Sequence, residues 1–440
     1  MKHIFLVAAM TAVACSGVTV SDVQVSQHWP WSDKINVDYT LADVTETVAV
    51  NVHAYSGGTD LGVIPDAALV GPRHAVKASG TYRVTIDPSR CRFADYGVME
   101  NFRVAVSVDT STLANADETL YRIVDLTKPN TYVDVTRADI LDRLYGDYET
   151  QPTWLADSVK TVLGPANLFL TGITNDTSLA TDKLILRKIK AGSYEIGTGT
   201  GTGTSDVYPI HTEVQNKDYW IGVFEITFAQ WNRVTGENLS NPYMTRPAGG
   251  ATQVTYNTIR GTAADHADYD WPRGRQVDPN SFMGKLRTLT GLAFDLPTES
   301  RWAIAGYAGS KGTKYYNGLS SEDLALTLGR CNPNGSTSGY PLGGTALVGR
   351  YLPNGYGLYD MLGNAREIVL DWYASGNIIA GATLTDWEGP ETGTYRGIKG
   401  GCSGQSVGGG MVLTQRYSTD ITPGEGTEVD TGFRVCLVEE

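Results

Sequence analysis

Cysteine and histidine are among the residue types in this chain that can act as nucleophiles or bind a transition metal. The five cysteines are Cys15, Cys91, Cys331, Cys402 and Cys436, and no two of them form a C-x-x-C pair. Zinc sites and thioredoxin-like redox pairs use such close spacing. The six histidines are scattered, without an H-x-x-x-H or H-E-x-x-H pattern. The spacing therefore predicts neither a zinc site nor a dithiol centre, and each histidine is interpreted as a surface or structural residue.

Five segments of the C-terminal half carry the most specific pattern in the chain. They are residues 219–228 (YWIGVFEITF), 295–309 (DLPTESRWAIAGYAG), 348–373 (VGRYLPNGYGLYDMLGNAREIVLDWY), 395–403 (YRGIKGGCS) and 431–438 (TGFRVCLV). In this order they resemble the formylglycine-generating enzyme, or sulfatase-modifying factor, family. The resemblance covers residues 183–440. It implies an α+β domain with an irregular, loop-rich architecture related to the C-type lectin fold.

The resemblance also implies a reaction, the oxidation of a substrate cysteine to formylglycine. In that family two thiols after an Arg-Gly-Gly-Ser motif hold copper(I), which prefers thiolates, and one exchanges with the substrate sulfur. Here the motif reads Lys399-Gly400-Gly401-Cys402, and the positions of the two thiols hold Gln405 and Gly410. Neither residue can bind copper(I). We therefore predict that copper does not bind and that Cys402 is a packed residue, with a catalytic role for Cys402 as the weaker alternative.

Calcium is the cofactor that the resemblance implies more directly. Asn364 and Glu367 match the family's side-chain ligands, with backbone carbonyls nearby. Calcium takes about six to eight oxygen ligands, which an amide, a carboxylate and carbonyls in a tight loop can supply. Asn332 matches a ligand of a second site. The sequence therefore predicts calcium at Asn364 and Glu367, with a second ion at Asn332; a hydrogen-bonded turn without metal is the alternative.

Ligand contacts are predicted on the loop and strand that follow the glycine pair. Gln405 begins a glycine-rich segment, where a partner's backbone can approach closely. Gln415, Arg416 and Tyr417 follow, at positions where related domains place groups that contact the substrate. Structural packing is the alternative role for these three residues.

Residues 18–112 are predicted to form a small all-β, immunoglobulin-like sandwich. Apolar and polar residues alternate in segments such as 35–41 and 104–108, and turn residues separate the runs. Period-two alternation buries one face of a strand, and about seven short strands in about 100 residues are typical of such a sandwich. Residues 113–182 are predicted as a connecting region with a helix at 137–144, for which Thr136 is the N-cap.

The N-terminus resembles a secretory signal at residues 1–15. An apolar run at 4–14 follows Lys2 and is too short to span a bilayer, and residues 12–14 (AVA) fit a cleavage site. Cys15 comes directly afterwards, so a lipid anchor is the alternative to simple cleavage. The pattern predicts an exported protein, either secreted or at the periplasm or cell surface, without a membrane span.

The net charge of the chain limits the classes of partner that it can bind. The formal net charge is −13 and the isoelectric point is near 5.0, so the chain would repel a phosphate backbone, and nucleic acid is excluded. The sequence favours a non-catalytic scaffold that binds a protein, peptide or glycan. One alternative is a sulfatase-modifying oxidase that pairs Cys402 with Cys331 or Cys436. The other is a lectin-like protein that displays variable ligand-binding residues.

Overall fold

The protein folds into two compact units. The computed structural model describes residues 3–6, 12–13, 17–27, 31–65, 68–91, 93, 98–110, 116–144, 173–174, 176–199, 208–239, 250–316, 326–331, 345–406, 410–420 and 430–439. Met1–Thr119 and Val135–Trp154 form the first unit, and Leu120–Asp134 and Leu155–Glu440 form the second. Residues 120–134, predicted as part of the connecting region, thus belong to the second unit. Cys15 and Asn332 lie outside the described residues.

The described part of the first unit is built from two β-sheets. Its strands are β1 (His3–Leu6), β2 (Ala12–Val13), β3 (Thr19–Gln27), β4 (Ile35–Ala42), β5 (Ala49–Ser56), β6 (Thr59–Val63), β7 (Leu69–Val70), β8 (Gly80–Ile86) and β9 (Val98–Asp109). One sheet has the order β1-β9-β5-β6, with β2 also on β9, and the other has the order β3-β4-β8-β7. Both sheets contribute to one apolar core.

The predicted alternation explains how this core forms. In β4, Ile35, Val37, Tyr39 and Leu41 are buried while the residues between them are partly exposed. Val104 and Val106 of β9 lie in the same core, from the opposite sheet. Because the side chains of a strand alternate between its two faces, one face of each sheet excludes water. The described residues of this region thus form two sheets around one core, and the immunoglobulin-like assignment stays a prediction.

The described part of the second unit contains three sheets, of five, three and four strands. Its strands are β10 (Thr119–Asp125), β11 (Tyr132–Thr136), β12 (Lys183–Ile189), β13 (Gly192–Ile196), β14 (His211–Gln215), β15 (Tyr219–Gly222), β16 (Arg366–Trp372), β17 (Thr383–Thr385), β18 (Tyr395–Lys399), β19 (Tyr417–Asp420), β20 (Thr431–Gly432) and β21 (Cys436–Val438). The sheet orders are β11-β10-β12-β15-β21, β13-β14-β17 and β19-β18-β16-β20. Long loops join short elements, as predicted for an irregular α+β domain.

The helices are short, and three of them begin after a threonine N-cap that the sequence predicts. They are α1 (Arg137–Leu144), α2 (Phe228–Thr235), α3 (Tyr256–Arg260), α4 (Phe282–Thr290) and α5 (Glu299–Tyr307). The predicted N-caps Thr136, Thr227 and Thr298 each accept a hydrogen bond from a backbone N–H in the first turn. Among the described residues, no helix has the length and apolar character needed to cross a membrane.

Aromatic packing joins the helices to the C-terminal strands. Trp231 of α2 stacks on Phe282 of α4, with ring centroids 5.1 Å apart, and Phe433 packs edge-on against both rings. All three side chains are buried in one core. This contact fixes the segment 431–438 against the helices, and the same segment reaches the candidate site through Arg434.

Replacing the cap of α2 should measurably destabilise the second unit. Thr227→Ala removes the acceptor for the Gln230 N–H and the hydroxyl that donates to the Ala180 carbonyl, so we expect a loss of about 1–2 kcal/mol in the free energy of unfolding. Urea denaturation followed by tryptophan fluorescence measures it. Thr288→Ala, the same change at an exposed position of α4, should alter stability by less than about 0.5 kcal/mol. Equal losses in both variants would contradict the capping role.

Candidate functional site

The candidate site lies where the sheet β19-β18-β16-β20 meets the loop after β18. Gly400 and Gly401 follow that strand with φ angles of 88° and 74°. Successive left-handed residues are strained for any side chain except glycine's hydrogen, so this turn requires glycine. The turn brings the next residues beside the start of β16, where the Ser403 N–H donates to the Asn364 carbonyl at 3.0 Å. Cys402 is thereby placed at this junction.

Cys402 is a buried thiol held within a small polar network. Its N–H donates to the Gln405 side-chain oxygen at 3.1 Å, and the Gln405 amide donates to the Tyr417 hydroxyl at 3.1 Å. Burial, together with the negative charge of Asp430, raises the pKa of the Cys402 thiol to about 12. A thiol with such a pKa is protonated at neutral pH and is a poor nucleophile.

Gln405 and Gly410 are direct neighbours across the loop. A Cβ atom built on Gly410 would lie 2.5 Å from both Cδ and Nε2 of Gln405. Real Cβ atoms do not approach other atoms this closely, so the Gln405 amide occupies the space that a side chain at 410 would need. The two positions at which the resemblance places the thiol pair are therefore adjacent, and an amide fills the space between them.

Among the described residues, no cysteine forms a disulfide with Cys402. Cys91, Cys331, Cys402 and Cys436 are all free. Cys436 lies in β21, where its backbone pairs with Ile221 and with Asp295, and burial raises the pKa of its thiol to about 12. Burial also raises the pKa of the Cys331 thiol to about 11. The alternative pairings of Cys402 with Cys331 or Cys436 are not formed as disulfides.

Two of the four predicted ligand contacts lie at a partly exposed surface beside Cys402. Gln405 and Tyr417 are both partly exposed. The Arg366 guanidinium lies 5.6 Å from the centroid of the Tyr417 ring. We define these three residues as the Cys402 surface. It presents an amide, a phenol and a cation, which together can donate and accept hydrogen bonds.

The other two predicted contacts are buried beneath this surface. Gln415 is buried, and Arg416 is 1% exposed. The Arg416 guanidinium forms a bidentate ion pair with Glu299, at 2.6 and 2.8 Å, and also donates to Asn377. Lys399 approaches the same carboxylate at 3.7 Å. These contacts favour the packing alternative for Gln415 and Arg416, because groups so enclosed cannot touch a ligand.

A second buried carboxylate supports the start of α5. Asp371 accepts the Glu299 N–H at 2.5 Å, and its other oxygen has no hydrogen-bond partner. Burial and the nearby Glu299 charge raise the pKa of Asp371 to about 8. By contrast, although burial opposes it, the Arg416 charge lowers the pKa of Glu299 to about 2. The two neighbouring acids therefore differ in charge at neutral pH.

The predicted calcium ligands are occupied by protein groups. The Asn364 side-chain oxygen accepts the Ala346 N–H at 2.7 Å, and its amide donates to Glu225 at 2.5 Å. Glu367 accepts from Arg434 at 2.5 and 2.6 Å and from the Trp302 indole at 2.7 Å. Within the described ranges, no three His, Cys, Asp or Glu residues are grouped to hold a metal. This pair does not offer open oxygens, and calcium binding stays a prediction.

Two acids beside this pair were missed from the sequence. Asp360 and Glu225 lie in quoted segments, but their apolar neighbours gave no sign that the carboxylates are buried. One Asp360 oxygen accepts the Gly349 N–H at 2.7 Å, and the other is buried without a partner. Burial raises the pKa of Asp360 to about 6 and raises that of Glu225 well above its usual range. These buried acids lie near enough to Glu367 to influence one another's pKa, and the Arg434 guanidinium offsets part of their charge.

The buried acid below α5 should make stability depend on pH. The pKa of Asp371 is about 8 in the folded protein, against an ordinary value of 3.8, so its stabilising contribution is complete at acidic pH and is lost as pH rises through 8. We expect Asp371→Asn to gain stability relative to the wild type between pH 5 and 8, on the order of 1 kcal/mol for each pH unit. Urea unfolding at each pH measures the difference.

The matched control for this prediction is Asp218→Asn. Asp218 is a partly exposed acid of the same unit, and its pKa is lowered because the Ala191 N–H and Lys188 outweigh the effect of burial. Its stabilising contribution is lost only as pH falls below the ordinary range of an aspartate. The control should therefore run parallel to the wild type between pH 5 and 8. A parallel profile for Asp371→Asn as well would show that Asp371 is ionised in the folded protein.

Comparison with known proteins places this site in a family. Residues 175–438 match the family described as "Sulfatase-modifying factor enzyme 1-like domain". A formylglycine-generating enzyme of Thermomonospora curvata is 39% identical over 114 residues, which span 24% of this chain and 37% of that protein. Chaperone protein LppX of Paenibacillus barcinonensis is 25% identical over 286 residues, 60% of this chain and 91% of that protein.

One solved structure is also similar to part of this chain. Treponema denticola variable protein 1 has 24% sequence identity and a TM-score of 0.44, over 58% of this chain and 96% of that chain. The match to the enzyme covers only about a third of that relative's length. The family match, in contrast, spans more than half of this chain and contains all five quoted segments. The chain belongs to the sulfatase-modifying factor enzyme 1-like family.

Proposed function

We propose that the protein is a non-catalytic scaffold that binds a protein, peptide or glycan through the Cys402 surface. The contact between Gln405 and Gly410 carries this proposal. In the family that this chain resembles, a copper-binding thiol pair lies at these two adjacent positions. In this chain they hold the Gln405 amide and the hydrogen atom of Gly410. Copper(I) prefers thiolates, so an amide cannot substitute for them.

The remaining thiols support the same conclusion. Burial raises the pKa values of Cys331, Cys402 and Cys436 to about 11, 12 and 12. Thiol exchange and metal binding both require the thiolate, which is a minute fraction of each thiol at neutral pH. The oxidase alternative would therefore need a rearrangement that exposes and ionises Cys402.

The Cys402 surface has features suited to recognition. Gln405 and Tyr417 are partly exposed and held by one hydrogen bond, so their orientation is fixed before a ligand arrives. Ser403 lies in the loop after β18, and Thr431 lies in β20. Both hydroxyl groups are buried, and neither has a hydrogen-bond partner among the described residues. The relative matched over most of its length is named a chaperone protein, which supports a protein or peptide as the partner class.

A peptide assay tests the lack of catalysis. The full chain, loaded with copper under air, is incubated with a cysteine peptide of the C-x-P-x-R type, and products are identified by mass spectrometry. We expect no aldehyde, because the second thiol is missing. An aldehyde that forms in the wild type and disappears in Cys402→Ser would overturn the proposal and make Cys402 catalytic.

A second experiment tests whether two introduced cysteines restore copper binding. Because positions 405 and 410 are in contact, Gln405→Cys combined with Gly410→Cys should create a close thiol pair. We expect this double variant to bind one equivalent of copper(I) or to form a disulfide, while each single variant does neither. Copper titration with a competing chelator measures this. If the double variant behaves like the single variants, the two positions do not form the pair inferred here.

We also propose calcium at Asn364 and Glu367, the ligands that the resemblance implies. Asp360 supports this proposal, because one of its oxygens is buried without a partner beside Glu225 and Glu367. Calcium would neutralise charge there, and its removal by a chelator should lower the melting temperature by a few degrees. Asp360→Asn should abolish the shift. An unchanged melting temperature in the wild type at millimolar calcium would exclude the site.

A further inference from the structure

Strand β11 forms one edge of the five-stranded sheet β11-β10-β12-β15-β21. Among the residues that the structure describes, no strand pairs with its outer side. Tyr132, Val133 and Asp134 are three successive exposed residues of this strand, and Val133 is 61% exposed. Successive side chains of a strand point to opposite faces, so both faces of this edge are open to solvent. An open edge of this kind can pair with a strand of another chain.

A backbone hydrogen bond shows which main-chain groups of β11 point outward. The Asp125 N–H donates at 2.9 Å to the carbonyl of Thr131, which directly precedes β11. In an antiparallel pair, alternate residues bond to the neighbouring strand, so the main-chain groups of Thr131 and Val133 point to β10. Those of Tyr132 and Asp134 therefore point away from the sheet. They offer the hydrogen bonds that an added strand would complete.

A row of apolar side chains crosses the sheet and ends at Val133. Ile185 of β12 pairs with Ile123 of β10. The hydrogen bond between Asp125 and Thr131 places Val133 opposite Ile123, at the end of the same row. Ile185 is buried and Ile123 is partly exposed, whereas most of Val133 is in contact with water. An apolar residue directly opposite Val133 on an added strand would continue the row and remove this surface from water.

The other face of the edge carries charges that are already balanced. Tyr132 and Asp134 flank Val133 and point to this face. The Arg122 guanidinium donates to Asp134 at 2.7 and 2.9 Å and lies 4.4 Å from the centroid of the Tyr132 ring. Because Arg122 balances the Asp134 charge, the edge does not repel a second acidic chain through this carboxylate. The carboxylate can still accept a further hydrogen bond, and the phenol can donate one.

We propose that β11 pairs with β11 of a second copy of this chain, antiparallel and about a two-fold axis at Val133. The edge is complementary to itself in this arrangement. Val133 lies opposite Val133 of the second copy, and Tyr132 of each copy lies opposite Asp134 of the other. The outward main-chain groups of these two residues then bond across the axis. The Cys402 surface lies in a different sheet, so this proposal does not depend on the proposed function.

Sedimentation velocity of the full chain over a range of concentrations tests the pairing. The contact is short, so we expect a reversible dimer that dissociates on dilution. Each copy has a formal net charge of −13, so added salt should strengthen the dimer by screening the repulsion between copies. A wild type that stays monomeric at every concentration and salt level would overturn the proposal and leave β11 to a strand of another protein.

Charge variants and a matched control locate the interface. Val133→Lys and Val133→Glu each place like charges opposite one another, so each variant alone should be monomeric. An equimolar mixture of the two should dimerise again, which a folding defect would not allow. Val63→Lys is the control, because Val63 is 60% exposed on β6, an edge strand of the first unit, and this variant should dimerise like the wild type. A dimer that survives Val133→Lys, or a mixture that stays monomeric, would contradict the pairing.

A disulfide tests the register of the two strands. Residues opposite each other in a non-hydrogen-bonded antiparallel pair have Cα atoms about 4.5 Å apart, a separation that a disulfide can span. We therefore expect Val133→Cys to give a covalent dimer under mild oxidation, seen on a non-reducing gel, and Val63→Cys to give none. Both variants keep the native cysteines, so the difference reports on position 133. Equal cross-linking in both variants, or none in Val133→Cys, would overturn the two-fold arrangement.

Discussion

The buried ion pair between Arg434 and Glu367 is the contact on which the second unit depends. The arginine also donates to the carbonyls of Gly222 and Tyr359, and the glutamate also accepts from the Trp302 indole. One pair of side chains thereby joins β15, β16, α5 and the loop before β16 to the C-terminal segment. Both charges are fully enclosed, and removal of either would leave the other buried without compensation.

The elements joined by this ion pair form the frame that positions the candidate site. Glu367 is fixed in β16, which holds the turn at Gly400 and Gly401 in place through its partner β18. The buried ion pair between Glu299 and Arg416 lies next to the same sheet, because Arg416 directly precedes β19. Along the chain, the loop that carries Cys402 therefore runs between β18 and a residue that a buried ion pair holds in place. Replacement of the exposed residues of the Cys402 surface leaves this frame intact, because they take no part in the two ion pairs.

Local patterns in the sequence predicted the elements better than the contacts between them. The caps Thr227 and Thr298 and the alternation in β4 are set by neighbouring residues, so short windows reveal them. The enclosure of Arg416 by Glu299, 117 residues away, depends on how distant elements pack. Five motifs were enough for the family and too few for the roles of single residues.

The overlap between position 410 and the Gln405 amide has a consequence for how such a site can change over evolutionary time. A side chain at 410 and the Gln405 amide in its present orientation occupy the same space, so a residue larger than glycine at 410 requires the Gln405 side chain to turn away. A path back to cysteine at 410 is therefore easier after a shorter residue has replaced Gln405. The two substitutions are coupled, and a lineage that holds the glutamine needs two steps to regain a thiol pair.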